Sequence, residues 1–110
     1  MTTIFKALAD PTRRHIIDLL RERPRLVGEL TGLLDISQPG ISKHLCVLRE
    51  AGLVNVRQDA QRRWYELRAE PFSELQTWLD GFRHLTAAKY ERLDRVLDEL
   101  TDEEPNDEQT

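Results

Sequence analysis

The chain has only one cysteine, Cys46, among its 110 residues. A single cysteine excludes an intramolecular disulfide and any zinc site made of several cysteines. No apolar run approaches the roughly 18 to 20 residues that a membrane span requires. The N-terminal segment lacks the basic stretch and following apolar stretch of a secretory signal peptide. These absences predict a soluble, cytoplasmic protein that does not act at a membrane.

Sequence patterns typical of catalysis or metal binding are also missing. The chain has no glycine-rich phosphate loop, no HExxH motif and no nucleophile elbow. The three histidines, His15, His44 and His84, are never four residues apart. Asp80 and His84 do have that spacing, but a zinc site needs three or four ligands. We therefore expect neither an enzyme nor a metal-binding protein, and no cofactor.

Charge is divided unevenly along the chain, whose formal net charge is −4. Residues 1–70 hold 12 Lys or Arg against 9 Asp or Glu, a balance of +3, whereas residues 71–110 hold 4 against 11, a balance of −7. Because salt screens charge within about 8 to 10 Å, this local imbalance matters more than the total. The basic part can face an anion while the acidic part faces away.

Helix-start and helix-stop residues divide the N-terminal half into short helices. Residues 4–8 form a brief apolar stretch of helical character. Asp10 and Pro11 then predict a helix start, because Asp accepts backbone N–H bonds at an N-cap and Pro fits the first helical position. Pro24 ends that helix, and a third helix is predicted over residues 27–34. Its expected inward-facing side chains are Leu30, Leu33 and Leu34.

A fourth helix begins after Ser37, which is a good N-cap, and has Pro39 in its first turn. Apolar side chains recur there at helical spacing, at Ile41, Leu45 and Leu48. Gly52 follows as a left-handed C-cap. Cys46 lies within this helix and is expected to belong to the core, because free cysteine is among the residue types that are most often buried.

Two strand-like runs follow, over residues 53–58 and 62–67, and a short turn at 59–61 joins them into a hairpin. From Pro71 a single helix is predicted to continue to about residue 100, with its apolar positions on one heptad register. Residues 101–110 are acidic, contain no large apolar side chain and are predicted to be disordered.

The first and last helices together carry more apolar surface than one small domain needs. Contiguous apolar patches are rarely left exposed in a monomer, so we expect this surface to join two copies of the chain. The expected dimer interface consists of Ile4, Phe5, Leu8, Phe72, Leu75, Leu79, Phe82, Leu93 and Leu100.

Three strings occur in order along the chain: FKALADPTRRHIIDLL, SQPGISKHLCVLREAGLV and RRWYEL. Together they resemble the ArsR-type bacterial winged-helix repressors. The resemblance implies a mainly α fold with a small β-hairpin, namely a winged helix-turn-helix with flanking dimerisation helices. This DNA-binding and dimerisation domain is expected over residues 1–100, followed by the acidic tail 101–110.

Members of that family bind an operator palindrome as homodimers and repress transcription, and an inducer can release the DNA. The resemblance therefore implies double-stranded DNA and a second copy of the chain as partners. The family's metal sensors often carry a Cys-x-Cys pair near the third helix, which this chain lacks. We therefore expect a subgroup that does not sense metals, and the sequence leaves open whether a small molecule or a protein acts as effector.

The resemblance makes residues 38–51 the recognition helix and residues 53–67 the wing. A recognition helix presents its N-terminal residues to base edges in the major groove. Gln pairs with adenine, Lys with guanine or a phosphate, and wing arginines with phosphates or a narrow minor groove. Gly40, without a side chain, lets the backbone approach the DNA. The expected DNA-binding residues are Ser37, Gln38, Pro39, Gly40, Ser42, Lys43, His44, Arg57, Arg62 and Arg63.

Each of these residues also has a purely structural interpretation. Ser37 and Pro39 suit any helix start, and the wing arginines suit any solvated hairpin tip. Trp64 is expected to pack against the fold rather than to contact DNA. The alternative function is a winged-helix protein-interaction module without DNA readout, which would not need these basic residues to face outward.

Overall fold

The computed structural model describes residues 2–87, 95–97 and 99–100. The chain forms two compact units, Met1–Leu75 and Gln76–Thr110. Within the described ranges, no helix is long and apolar enough to cross a membrane. The elements are α1 (Thr2–Leu8), α2 (Pro11–Glu22), α3 (Val27–Leu34), α4 (Gln38–Glu50), β1 (Val54–Asp59), β2 (Arg62–Leu67) and α5 (Ala69–Asp80).

The helix boundaries follow the capping residues. The Asp10 carboxylate accepts the N–H groups of Thr12 at 2.7 Å and Arg13 at 3.2 Å, which satisfies two donors at the start of α2. The Ser37 hydroxyl accepts the N–H of Gly40 at 3.3 Å and begins α4. Gly52 follows α4 with a φ of +79°, a left-handed conformation that favours glycine. The structure confirms these predicted boundaries.

The core of the first unit lies between α1, α2, α3, α4 and the hairpin. The α4 helix places one side in this core, and its neighbours supply the surrounding apolar side chains. Because the buried side of α4 is anchored, the opposite side is held toward solvent in a fixed orientation. The side chains with almost no exposure are Ile16, Leu30, Ile41, Leu45, Leu48 and Leu53.

Two residues predicted to face inward are exposed instead. With about 100° per helical residue, Val27, Leu30 and Leu34 fall within one arc, and Leu33 lies about 60° beyond Leu30, on its outer side. By the same measure, Cys46 lies about 140° from the buried Ile41. The structure shows both Leu33 and Cys46 exposed, so these two predictions were wrong.

The hairpin joins β1 and β2 as an antiparallel pair in which Asp59 lies opposite Arg62. Its turn is therefore Ala60 and Gln61 alone, one residue shorter than predicted, and Ala60 has a φ of +59°. An isolated antiparallel bridge adds Arg25 to the other edge of β2, opposite Tyr65. No sequence pattern predicted this bridge between Arg25 and the wing.

The single long helix predicted from Pro71 was wrong in its extent. The α5 helix begins at Ala69 and ends at Asp80. The N–H of Gly81 donates to the Trp78 carbonyl at 3.1 Å, an i to i+3 bond that tightens the chain into a turn. Glycine at this position lowers helix propensity, and helical residues resume at 83–87. Leu93 and the predicted disordered tail, residues 101–110, lie outside the described residues.

Candidate nucleic-acid interface

The N-terminal half of α4 presents polar side chains to solvent. Ile41, Leu45 and Leu48 are buried on the inner side of the helix. The side chains that we expect to read bases therefore emerge from a rigid, anchored helix rather than from a loop. The exposed residues at the cap and in the first two turns of α4 are Ser37, Gln38, Pro39, Ser42 and Lys43.

Gly40 serves the packing at the start of α4. A Cβ atom built on Gly40 would lie 2.9 Å from Cγ2 of Ile36 and 3.4 Å from the Ser37 hydroxyl. The first distance is shorter than van der Waals contact between carbon atoms, so a side chain here would push Ile36 aside. Close approach to DNA was the reason expected for Gly40, whereas the structure gives this glycine a reason inside the protein.

His44 is half-buried, unlike the exposed Ser42 and Lys43 that precede it. Its charge acts on Asp10, the N-cap of α2. Desolvation would raise the pKa of Asp10, but the backbone N–H groups of Arg13 and Thr12, together with the charges of Arg13 and His44, lower that pKa below its ordinary value. His44 is therefore the expected DNA-binding residue that is least available to a base.

The wing arginines lie on different faces of the hairpin. Side chains alternate along a strand, so Arg62 shares the outer face with Trp64, whereas Arg63 shares the face of the buried Tyr65. Arg57 lies opposite Trp64 on the outer face and forms an ion pair with Glu66. Arg57, Arg62 and Arg63 are all exposed, as predicted, but they do not form one continuous face.

A shallow groove of about 310 Å³ runs along the outer face of the wing, beside the segment that follows α2. Trp64 forms part of its wall and is half-buried, which agrees with a packing role for the indole. The lining residues are Arg23, Pro24, Arg57, Asp59 and Trp64.

Several basic residues serve the fold itself rather than an outside anion. Arg13 donates through Nε to the Ala7 carbonyl at 2.7 Å, and Arg14 donates through Nη1 to the Leu8 carbonyl at 2.7 Å. These carbonyls end α1, where a helix has unsatisfied acceptors and a negative dipole end. Sequence reasoning missed this capping, although two arginines just inside a helix that follows another short helix are a signal of it.

Another missed residue is Arg25, which is only 8% exposed. Its backbone exchanges two hydrogen bonds with Tyr65, and its guanidinium contacts the end of α2. The positive balance of residues 1–70 therefore overstates the charge that is available to DNA.

The described residues contain no group of three or more His, Cys, Asp or Glu side chains placed to hold a metal ion. Glu29 has another use, because it accepts from the Arg23 side chain and from the Leu26 N–H. These hydrogen bonds lower the pKa of Glu29 below its ordinary value. Cys46 is exposed on α4 near Arg49 and Glu50.

The residues expected at a dimer interface differ in exposure. Ile4 is buried in the core of its own chain, so its side chain does not supply the free surface that was predicted for it. Leu8, Phe72 and Leu75 are half-buried. The residues that remain exposed are Phe5, Leu79, Phe82 and Leu100.

In the second unit, exposed apolar side chains recur around the end of α5. Trp78 and Phe82 pack edge to face there, with ring centroids 4.9 Å apart. Leu79 and Leu85 are exposed beside them in the sequence.

Comparison with known proteins identifies the family. A family model described as "Bacterial regulatory protein, arsR family" matches residues 10–56, which span α2, α3, α4 and the first residues of β1. The chain is 34% identical over 82 residues to the transcriptional repressor SdpR of Bacillus subtilis, covering 74% of this chain and 91% of that one. The chain belongs to the ArsR family.

Other relatives agree with this assignment. The HTH-type transcriptional regulator Rv2034 of Mycobacterium tuberculosis is 45% identical over 78 residues, covering 71% of this chain and 73% of its own. The crystal structure of the ArsR family transcriptional regulator RHA00566 superposes with a TM-score of 0.67 at 32% identity, covering 78% of this chain and 89% of that one. This ArsR-family chain is thus a DNA-binding transcriptional regulator with a winged-helix fold, and it is not an enzyme.

Proposed function

We propose that this ArsR-family regulator acts as a homodimeric repressor that reads an operator palindrome with Gln38, Ser42 and Lys43. The observation that carries the proposal is the anchoring of α4, which buries its inner side in the core and leaves Gln38, Ser42 and Lys43 exposed in its first two turns. The name of the relative SdpR includes the word repressor, which supports repression as the outcome.

The chemistry of the exposed side chains suits base readout. A Gln amide donates to and accepts from adenine in a bidentate pair, and a Lys ammonium donates to O6 and N7 of guanine. Ser42 is short and serves as a donor or acceptor near the same base edges. These residues lie within the first two turns of α4, which are the turns that a helix-turn-helix directs into the major groove.

The wing supplies phosphate contacts in this proposal. Arg62 and Arg63 follow the tip of the hairpin on β2 and point to its two faces, so one hairpin can reach phosphates on either side of a groove. Arg57 is a weaker candidate, because its guanidinium already has Glu66 as an ion-pair partner at 3.6 Å. DNA binding by Arg57 would first require it to exchange a carboxylate for a phosphate.

Dimerisation gives the regulator two recognition helices. Exposed apolar side chains on each unit, Phe5 on the first and Leu79 and Phe82 on the second, support an interface between copies of the chain. Two recognition helices about 34 to 36 Å apart would enter successive major grooves on one face of DNA. An operator palindrome is the sequence that matches such a symmetric protein.

Fluorescence anisotropy with two labelled duplexes tests this function. One duplex carries the DNA upstream of the protein's own gene, and the other has the same base composition in scrambled order. The proposal predicts tighter binding to the upstream duplex and weaker binding as salt rises. In a nuclease-protection experiment on the same DNA, it predicts two protected half-sites about 10 to 10.5 base pairs apart. Equal binding to both duplexes at every salt concentration would contradict base readout and favour a protein-interaction role.

A further inference from the structure

Arg25 is the one charged residue among those described that is buried, and it lies between the end of α2 and the wing. Burial of a charge is costly unless hydrogen bonds and an ion pair compensate for it. The guanidinium of Arg25 has both kinds of partner on α2, and the backbone of the same residue is hydrogen-bonded to β2. The residue therefore joins elements that are distant along the chain.

The side chain of Arg25 holds the C-terminal end of α2. Its Nε donates to the Leu19 carbonyl at 3.2 Å, and its Nη2 donates to Oε1 of Glu22 at 2.7 Å. Leu19 is one of the last four residues of α2, whose carbonyls have no helical N–H partner. The guanidinium thus caps the negative end of the helix and has a carboxylate beside it.

The backbone of Arg25 holds the wing. Its N–H donates to the Tyr65 carbonyl at 3.0 Å, and its carbonyl accepts the Tyr65 N–H at 2.8 Å. Tyr65 lies in the middle of β2, two residues from Arg63 and three from Arg62. At roughly 3.3 Å per strand residue, this attachment lies only about 10 Å below the farther arginine.

We propose that Arg25 is a positioning residue for DNA binding, which fixes the wing at the angle where Arg62 and Arg63 meet phosphates. The α2 helix contacts both α4 and β2, so the link from α2 through Arg25 to β2 sets the wing relative to the recognition helix. This inference rests on the proposed wing contacts. Arg25 itself does not touch DNA in this account and acts through the strand that it holds.

The geometry explains why arginine is needed. A planar guanidinium has donors in a fixed fork, so one group satisfies a carbonyl and a carboxylate at the same time. Glutamine at position 25 would keep the backbone bonds available but lose the charge and most of the reach toward Leu19. The wing would then be attached to a segment that is no longer fastened to α2.

Salt-dependent DNA binding separates this role from a merely structural one. Arg25→Gln should weaken binding to the upstream duplex and make the slope of log K against log salt shallower by about one unit for each phosphate that the wing no longer reaches. Combining it with Arg62→Ala and Arg63→Ala should weaken binding by less than about a further twofold, because the two arginines whose phosphate contacts depend on the angle of the wing are then gone. Combining Arg25→Gln with Gln38→Ala should give losses in the binding constant that multiply, because Arg25→Gln leaves α4 and its base contacts in place.

Hydrogen exchange on the full chain supplies the second readout. In Arg25→Gln, the amides of β2 should exchange faster, while those of α4 keep their wild-type rates. Glu22→Gln keeps Arg25 and its bond to Leu19, so it should speed the exchange of the β2 amides to a smaller extent. It replaces Arg25→Gln in the experiment if that variant does not fold. Arg21→Gln removes an exposed charge from the same helix and should leave the exchange of β2 unchanged.

Two results would overturn the positioning role. The first is a salt slope that stays unchanged in Arg25→Gln although the double wing variant, Arg62→Ala with Arg63→Ala, does change it. If Arg25→Gln does not fold, the same comparison is made with Glu22→Gln. The other is a full, multiplicative weakening when the position-25 and wing variants are combined. If the wing variant alone leaves the slope unchanged, the wing contact of the proposed function fails on its own test, and the role of Arg25 fails with it.

Discussion

Single residues in this chain act mainly at helix ends. Asp10 and Ser37 begin α2 and α4, and Arg13 and Arg14 close α1. Each of these contacts satisfies backbone groups that a helix leaves unpaired at its ends. Because the Ser37 cap makes Gln38 the first residue of α4, it also sets which residues occupy the first two turns, and so which side chains a base can meet.

The charge on Asp10 makes the stability of the protein depend on pH. The pKa of Asp10 is lowered in the folded chain from an ordinary value of 3.8. A carboxylate whose pKa is lowered by folding stabilises the folded chain at any pH above the pKa that it has in the unfolded chain. This stability is lost as the pH falls through the pKa of the folded chain. We predict that the free energy of unfolding falls as the pH drops below about 4, as is general for such carboxylates.

Urea unfolding of wild type and Asp10→Asn between pH 5 and pH 2.5 checks this prediction. Asparagine keeps a capping oxygen but has no charge, so the variant should lose less stability on acidification. The carboxylate of Glu29, whose pKa Arg23 lowers, contributes to the loss that remains. Parallel pH curves for the two proteins would show that the Asp10 charge does not stabilise the fold.

At the scale of elements, the joint between α3 and α4 depends on a glycine. The missing Cβ of Gly40 leaves room for Ile36, as its distance of 2.9 Å shows, whereas Gly32 in α3 has open space around it. Alanine is favoured over glycine in a helix by about 1 kcal/mol, but overpacking costs about 1 to 3 kcal/mol. Gly32→Ala should therefore stabilise the protein, whereas Gly40→Ala should destabilise it.

Denaturant unfolding of the two variants measures the difference. We expect the free energy of unfolding to rise by about 0.5 to 1 kcal/mol in Gly32→Ala and to fall by about 1 kcal/mol in Gly40→Ala. The two substitutions add the same methyl group to neighbouring helices, so they control for each other. An equal gain in both would mean that Ile36 yields without cost and that the packing account of Gly40 is wrong.

The elements that could be predicted from the sequence are those with local signals. Caps, helical spacing and strand alternation identified α2, α3, α4 and the hairpin, since each signal depends on residues a few positions apart. The exposure of Leu33 and Cys46 depends on which arc of a helix meets its neighbours, and an apolar side chain does not reveal that. Arg25 was missed because its partner Tyr65 is 40 residues away in the chain.

The extent of the last helix was misjudged for a related reason. Apolar residues on a heptad register predicted continuity past Gly81, because the register tolerates a single glycine. The structure has a turn there, with i to i+3 bonds at Gly81 and Phe82. At the candidate interface, residue types and spacing indicated the exposed residues of α4 and the wing, whereas the ion pair between Arg57 and Glu66 depends on the register of the hairpin.

At the scale of the whole molecule, the proposed dimer is the first property to test. Sedimentation at micromolar concentration should show a stable dimer, because exposed apolar side chains such as Leu79 and Phe82 favour association. Leu79→Glu should shift the chain toward monomer, since a carboxylate placed in an apolar interface loses its hydration. The matched control Gln76→Glu adds the same charge to the same helix at an exposed polar position and should remain dimeric. A wild-type chain that sediments as a monomer would contradict the proposal.

The regulator is also predicted to be independent of metals. The chain lacks the Cys-x-Cys pair of the family's metal sensors, and a soft-metal site needs three or four ligands. Zn(II), Cd(II) or As(III) at stoichiometric concentration should therefore leave the protein on the upstream duplex. Release of the DNA by any of them would contradict the prediction, and Cys46→Ser would then show whether the exposed thiol is involved.

The most direct test of base readout by α4 compares Gln38→Ala with Arg62→Ala on the upstream and scrambled duplexes over a range of salt concentrations. Gln38→Ala should cost about 1 to 3 kcal/mol on the upstream duplex and little on the scrambled one. Arg62→Ala should weaken binding to both and make the salt slope shallower by about one unit. Arg49→Ala, at the other end of α4, is the matched control and should change neither the preference for the upstream duplex nor the salt slope. Equal losses on both duplexes for Gln38→Ala would contradict the account.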